Sequence, residues 1–329
     1  MRFPRNAVVL SALLVSTLPL SGCAAEEIAA PSASPDPTPT RTPLEEVEVE
    51  SEPQTLFGGD CGQLLTLEAV NALTGAQTEL APRYYEAGDV AIRQLGGLFC
   101  AWVEESGAAD QFISLVVLPS RAGAGLVEDY CDPDFGCSFF ATAADFDLYG
   151  VTNDSAVGGG LARVAAVKDA FVAAVSAQAV PTAYAPASAW AFPIDCATLD
   201  PADAIAAALG DASIDGAATG GDAEPNPGFY AAGVAAGAVR CVWGPVSATL
   251  NASILPGGAW IADEMAARDG AQPVMIEGVD SAVVVDSVTH LFDGENWLAL
   301  SGSTDEAPLA PELVELVSTT LIAELDARG

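Results

Sequence analysis

Few residues in this sequence have a type and spacing that suit catalysis. His290 is the only histidine and Lys168 the only lysine, whereas a nucleophilic hydrolase needs a base beside its nucleophile. Lys168 has no serine three residues before it, and the Gly-x-Ser-x-Gly, His-Glu-x-x-His and phosphate-cradling glycine motifs are absent from the sequence. We therefore expect His290 to be a surface or strand residue of a predicted hairpin and not a base, and we expect the protein not to be an enzyme.

Paired carboxylates offer a different chemistry, because two of them can hydrolyse glycosides or bind calcium. Asp132 with Asp134 and Asp145 with Asp147 are such pairs, but chance pairs are expected among 45 acidic residues. None matches the twelve-residue calcium loop. The first pair lies in a short loop between two cysteines and is the better-ordered candidate. We expect no metal and no cofactor, and we keep a carboxylate-based hydrolase as a weak alternative.

Six cysteines follow Cys23, and four of them belong to a repeat. Two units each open with Asp-Cys-x-x-Leu and later carry Cys-x-Trp, and an even number of cysteines in an exported chain indicates a disulfide framework. Metal ligation is the alternative, but the spacing is not that of zinc sites. Closing each large loop would contribute about 3–4 kcal/mol in the chain-entropy model. The simplest pairing is Cys61–Cys100, Cys196–Cys241 and Cys131–Cys137.

The elements that must carry these cysteines are strands and helices in alternation. Strand-like runs follow Cys-x-Trp at 112–118 and 248–255, and another run lies at 281–285. An Asp-Gly turn after Phe292 predicts a hairpin. Thr66 and Asp200 are candidate caps of a first helix in each unit, and further helices are predicted near 120–130 and 258–268. Trp102 and Trp243 are expected to pack on the disulfides.

Two apolar stripes predict one later helix in each unit, packed on a sheet. The stripe of the first unit comprises Leu161, Val164, Val167, Phe171 and Val175. That of the second begins after Pro311 and comprises Leu313, Leu316, Val317, Thr320, Leu321 and Leu325. The sequence thus predicts an α+β protein of two tandem domains, each an antiparallel sheet packed by helices and stapled by disulfides.

The N-terminus has the layout of an export signal. Arg2 and Arg5 precede an uncharged apolar run that ends in Leu20-Ser21-Gly22-Cys23. This ending resembles the bacterial lipobox, which implies removal of residues 1–22 and a lipid on Cys23. An ordinary secretory signal or an uncleaved anchor is the alternative. A diacylglyceryl cysteine would hold the protein firmly on the outer face of the membrane.

Charge and composition limit the partners. The net charge is −34, so nucleic acid and anionic lipid headgroups should be repelled. Proline, serine, threonine and glutamate dominate residues 23–56, a composition typical of a disordered spacer. Fully extended, it would reach on the order of 100 Å. The Val/Glu alternation at 45–50 could instead form an edge strand.

Together the lipobox, the spacer, the Asp-Cys-x-x-Leu opening and the Cys-x-Trp strand resemble actinobacterial exported lipoproteins of a family of unknown function. The resemblance implies a Mog1/PsbP-like α+β fold, here present as two tandem copies over 58–327, and implies no activity. This chain departs from the family by doubling the domain and by adding Cys131 and Cys137.

These observations predict a domain order and a function. The order is a signal peptide at 1–22, a tether at 23–56, a first domain at 57–180, a linker at 181–192 and a second domain at 193–329. We expect a membrane-anchored, non-catalytic binding module whose partner is a protein or a cell-wall component. A carrier or sensor of a small apolar or cationic ligand is the main alternative.

Overall fold

The computed structural model describes residues 52–81, 86–104, 112–120, 130–132, 136–152, 161–186, 188–196, 199, 216–217, 226–243, 249–302 and 309–328. These all belong to one compact unit, Val49–Gly329. Cys23, the signal peptide, nearly all of the tether, Asp134, Asp200 and the helix predicted near 120–130 lie outside the described residues. No helix within the described part is long and apolar enough to cross a membrane.

The first module combines short helices with an antiparallel sheet. A 3₁₀ turn at Leu56–Gly59 precedes α1 (Cys61–Leu64), α2 (Leu67–Thr74), β1 (Thr78–Leu80) and α3 (Ala87–Gln94). The remaining elements are β2 (Leu98–Glu104), β3 (Phe112–Pro119), β4 (Tyr130–Asp132), β5 (Gly136–Ala143), β6 (Phe146–Thr152) and α4 (Leu161–Val175).

The second module repeats this plan. Its described elements are β7 (Gly216–Ala217), α5 (Pro227–Ala236), β8 (Val239–Trp243) and β9 (Leu250–Leu255), followed by a 3₁₀ helix at Gly258–Ile261. Then come α6 (Ala262–Ala266), β10 (Gln272–Val274), β11 (Ser281–Val285), β12 (Val288–Asp293), β13 (Asn296–Gly302) and α7 (Pro311–Asp326). The predicted strands and hairpin are present, and the predicted helix near 258–268 is a 3₁₀ helix continued by α6.

The strand orders show that the two sheets correspond. The first is β1-β2-β3-β6-β5-β4. The second, written in the same direction, is β7-β8-β9-β13-β12-β11-β10, with β10 as an additional edge strand. Every pairing is antiparallel. In both, the Cys-x-Trp strand pairs with the strand that follows it. The fold is therefore α+β, with two tandem antiparallel sheets that are packed by helices, as the sequence predicts.

Local sequence explains where the helices begin and end. The Thr66 hydroxyl accepts a hydrogen bond from the Ala69 amide at the start of α2, which is the expected cap. Asn226 caps α5, Pro227 occupies its first turn, and Gly237 ends it in the left-handed conformation.

A disulfide closes a large loop in each module. Cys61 bonds Cys100, 39 residues later, and Cys196 bonds Cys241, 45 residues later; both are the pairs expected from the spacing. Cys137 is also disulfide-bonded, and the backbone register places it opposite Cys131. Trp102 and Trp243 are buried in the same clusters as the disulfides next to them, as expected.

Each sheet is buried on both faces. One face of the first sheet packs on α4 through Val164, Val167, Phe171 and Val175, as the apolar stripe predicts. In the second module, α7 buries Val314, Val317, Leu321, Ile322 and Leu325. The predicted stripe of α7 was wrong at Leu316, which is exposed. Packing selects the i, i+3, i+4 series that starts at Val314, which turns Leu316 towards solvent.

Candidate functional site

The opposite faces of the two sheets share a third apolar cluster, which we call the seam. It contains Val116 and Tyr149 from the first sheet and Phe292 and Trp297 from the second. Helices α3 and α5 lie against each other in the seam. Each also crosses to the other module, because α3 contacts β9 and the 3₁₀ helix at Gly258–Ile261, whereas α5 contacts β3 and β6. The two modules therefore share one apolar core and are not connected by the linker alone.

Asn226 fixes the start of α5 on the first module. Its Nδ2 donates to Ser114 Oγ at 3.1 Å and to the Tyr149 carbonyl at 2.9 Å, while its Oδ1 accepts from the Gly228 amide at 2.9 Å. Asn226 is 1% exposed, so both halves of its amide are satisfied away from water. One residue therefore caps the helix and joins the modules.

Glycine allows the close approach of α5. A Cβ built on Gly228 would overlap Val116 Cβ, inside the 3.0 Å that real Cβ atoms keep from neighbours. In α3, the space beside Gly88 is filled by the ring of Phe229. The Phe229 ring also packs edge-on against Phe99, with centroids 4.7 Å apart. The two glycines thus leave room for larger side chains of the facing elements, Val116 opposite Gly228 and Phe229 opposite Gly88.

Charged and polar side chains occupy the end of the seam near α6. Arg93 Nη2 on α3 donates to Glu264 Oε2 at 2.6 Å, and the guanidinium lies 4.7 Å from the centre of the Trp260 ring. Gln94 Nε2 donates to the Pro256 carbonyl at 2.8 Å. These contacts also join α3 to the second module.

His290 lies inside the molecule on the seam face of β12. It is 4% exposed and stacks on Trp297, with ring centroids 5.7 Å apart and an interplanar angle of 9°. Burial, assisted by the positive charge of Arg268, lowers the His290 pKa to about 3. The imidazole is therefore neutral at physiological pH. The predicted strand position is correct, and the structure adds that the ring is sealed in the seam.

The carboxylate pairs do not form a convergent site where they are described. Asp147 is buried and accepts from the Ser120 and Thr142 hydroxyls at 3.1 and 3.2 Å, whereas Asp145 is exposed in the preceding turn. Asp147 and burial raise the pKa of Tyr149 to about 12, with burial the larger cause. The side chains of Asp132 and Asp134 lie outside the described residues.

Three other carboxylates lie near one another at the tip of the β12–β13 hairpin. Burial and the charges of Asp326 and Asp280 raise the pKa of Asp293. Asp326 accepts from Trp190 Nε1 at 2.8 Å, and Asp280 accepts from the Gly294 amide at 2.9 Å. Among the described residues, no group of three or more His, Cys, Asp or Glu side chains has a geometry that would hold a metal ion.

The segment that links the modules is fixed to the second one. Asn296 Oδ1 accepts from the Trp190 and Gly257 amides at 2.8 and 3.2 Å, and its Nδ2 donates to the Ser188 carbonyl at 3.4 Å. The Ser188 amide donates to Glu295 Oε2 at 2.6 Å. These hydrogen bonds hold residues 188–190 of the linker against the β12–β13 hairpin of the second module.

Sequence reasoning missed helix α5 and its exposed face. Tyr230 and Val234 lie one turn apart on α5, and both are exposed, as is Phe192 near the end of the helix. The signals for this helix were Asn226-Pro227 at its start and Gly237 at its end.

Comparison with protein-family models, with curated proteins and with solved structures finds no match.

Proposed function

We propose that this protein is a non-catalytic binding protein, tethered to the outer face of the cell membrane by a lipid on Cys23. The observation that best supports binding is the exposed face of α5 on an acidic protein: Tyr230 and Val234 lie one turn apart, and Phe192 lies beside Gly237 at the end of the helix. Neighbouring large apolar side chains on a soluble surface are typical of interaction sites. The shared seam supports the proposal further, because it would hold this face in a fixed position on the two-module body.

The chemistry of the described residues supports a non-catalytic role. A general base must reach its substrate with a pKa near the working pH. His290 is sealed in the seam with a pKa of about 3, and Asp147 is already hydrogen-bonded to two hydroxyls. These two candidates are better explained by their roles in the core than by catalysis.

The anchor is argued from the sequence. Residues 20–23 resemble a lipobox at the end of an export signal, and residues 23–56 have the composition of a spacer. With the two disulfides, which suit an oxidising compartment, these features support an extracytoplasmic lipoprotein. We extend the family resemblance to the same proposal: a doubled member of the exported lipoprotein family with the Cys-x-Trp domain.

The anchor is tested by expressing the wild-type chain and Cys23→Ser in a bacterium that lipidates exported proteins. Wild type should enter the detergent phase of a Triton X-114 separation, and mass spectrometry should find a lipidated Cys23 at its N-terminus. Cys23→Ser should remain in the aqueous phase with an unmodified position 23. An aqueous, unlipidated wild type would refute the anchor.

Binding is tested in cells with a photo-cross-linking amino acid at position 230, in the intact anchored protein. The matched control carries the same amino acid at Leu316, an exposed apolar position of α7. A discrete adduct from position 230 and none from 316 is the expected result. Equal labelling at the two positions would contradict a specific binding face.

A carrier of a small ligand is the second candidate, and one observation favours it. In the described structure, several buried side-chain polar atoms of the seam lack a hydrogen-bond partner: Arg93 Nη1, Gln94 Oε1, Trp260 Nε1, His290 Nδ1 and Trp297 Nε1. Buried polar atoms are normally satisfied, so a small polar molecule would find partners there. Native mass spectrometry of the purified protein tests this: a mass excess that variants of Trp260 remove would favour the carrier.

A further inference from the structure

The exposed face of α5 has a composition unlike that of the protein as a whole. We call Phe192, Tyr230 and Val234 the α5 patch; they are 61%, 62% and 59% exposed. Tyr230 and Val234 are four residues apart and therefore share one side of the helix. A Cβ built on Gly237 would lie 2.9 Å from Phe192 Cγ, which places this ring one turn beyond Val234. Helix α5 contains no Asp, Glu, Lys or Arg.

The patch belongs to a strongly acidic molecule whose described cations are occupied. Each basic residue of the described part engages another group of the protein: Arg93, Arg163, Lys168, Arg240, Arg268 and Arg328. With a net charge of −34, the molecule attracts cationic partners over a distance set by the ionic strength. The uncharged patch can then supply the apolar contacts that fix such a partner.

The net charge of the protein also argues against two other occupants of the α5 patch. A second copy would carry the same net charge of −34 and be repelled, as would anionic lipid headgroups. An apolar segment flanked by lysine or arginine suits both the patch and the field, because interfaces combine an apolar centre with a charged rim.

We propose that the α5 patch is a docking site for a basic amphipathic segment of another protein. Tyr230 and Phe192 serve as aromatic anchors, a role that aromatic residues commonly have at interfaces. Val234 adds an aliphatic contact with the partner. The acidic surface attracts the basic flanks. This inference rests on the proposed binding function and specifies the class of partner.

The probe is a synthetic amphipathic helical peptide of leucine and lysine, titrated into the full chain by calorimetry. Tyr230→Ser with Val234→Ser should weaken its affinity about tenfold or more, because two apolar contacts are lost. Leu316→Ser, which removes an exposed leucine elsewhere, should leave the affinity unchanged. All three substituted positions are exposed, and thermal unfolding of each variant checks that the fold is kept.

Hydroxyl-radical footprinting locates the contact. Phe192, Tyr230 and Val234 should be reactive in the protein alone and protected by the peptide. Protection before the peptide is added would overturn the proposal, because the protein itself would then cover the patch. Unchanged affinity of the double variant would also overturn it, since the peptide would then bind the acidic surface without the patch.

Two further measurements address the other occupants. Concentration-dependent dimerisation that Tyr230→Ser with Val234→Ser abolishes would assign the patch to a second copy and refute the inference. Patch-dependent binding to phosphatidylcholine vesicles would refute it in favour of a lipid surface. Failure of the peptide to bind would refute the inference and leave the proposed function standing, because that function is judged by cross-linking of the anchored protein in cells.

Discussion

Adding one methyl group at Gly228 should loosen the seam. In Gly228→Ala the new Cβ overlaps Val116 Cβ, whereas non-bonded carbon atoms prefer about 3.5–4.0 Å. Helix α5 must therefore move away from β3. That movement lengthens the hydrogen bonds from Asn226 Nδ2 to Ser114 Oγ and to the Tyr149 carbonyl, now 3.1 and 2.9 Å.

The expected cost follows from these two effects. Overpacking of a filled core costs about 1–3 kcal/mol, and weakening buried hydrogen bonds of one amide adds about 1 kcal/mol. The helix propensity of alanine offsets up to about 1 kcal/mol of this cost, so we expect Gly228→Ala to lower the free energy of unfolding by about 1–3 kcal/mol, a substantial fraction of the stability of an ordinary domain.

Gly233→Ala is the matched control within the same helix. A Cβ at Gly233 meets nothing closer than Ala238 Cβ at 3.8 Å, and alanine is favoured over glycine in a helix by about 1 kcal/mol. This variant should be as stable as wild type or more stable. Urea unfolding followed by tryptophan fluorescence and circular dichroism measures both variants. Equal changes at the two positions would refute the close packing of α5 on β3.

The other predictions concern the rest of the seam and the disulfides. His290 has a pKa lowered to about 3 from an unfolded value of about 6.5, so acid protonates the unfolded state first. Stability should therefore fall by about 2 kcal/mol between pH 7.5 and pH 5, and a pH series of urea unfolding should show that His290→Phe lacks this component; parallel curves for the two proteins would contradict the buried, neutral imidazole. Arg93→Met, measured by the same unfolding, should cost about 1 kcal/mol, because the ion pair with Glu264 is partly exposed; the cost should be smaller when Glu264 is already Gln, because only the contact with Trp260 then remains, and an equal cost in both backgrounds would contradict the ion pair. Cys196→Ser with Cys241→Ser should cost about 3–4 kcal/mol for the loop of 45 residues and lower the thermal midpoint; an unchanged midpoint would contradict a stabilising staple.

Local signals sufficed for much of the fold. The Asp-Gly turn identified the β12–β13 hairpin, and Pro311 identified the start of α7, because turn and cap chemistry is read within a few residues. The repeated Cys and Trp positions gave the two staples and the doubling of the module. These features depend on neighbours in the sequence or on simple pairing by order.

The seam could not be read in this way. Helix α5 carries apolar residues on every side, so its periodicity does not tell which face is buried, and the sequence cannot show that it packs on the sheet of the other module. Gly88 and Gly228 read as poor helix residues until the side chains opposite them, Phe229 and Val116, are known. His290 likewise looks like any strand residue until both sheets are in place.

Cutting the chain between the modules tests the shared seam most directly. A protease site can be placed at 178–182, where Gln178 and Thr182 are exposed. After cleavage neither Cys61–Cys100 nor Cys196–Cys241 would connect the two halves, because each of these disulfides lies within one half. After cleavage without reductant, both halves should elute together from size-exclusion chromatography at the mass of the uncut protein. Elution as two separate halves that keep their disulfides would contradict the seam.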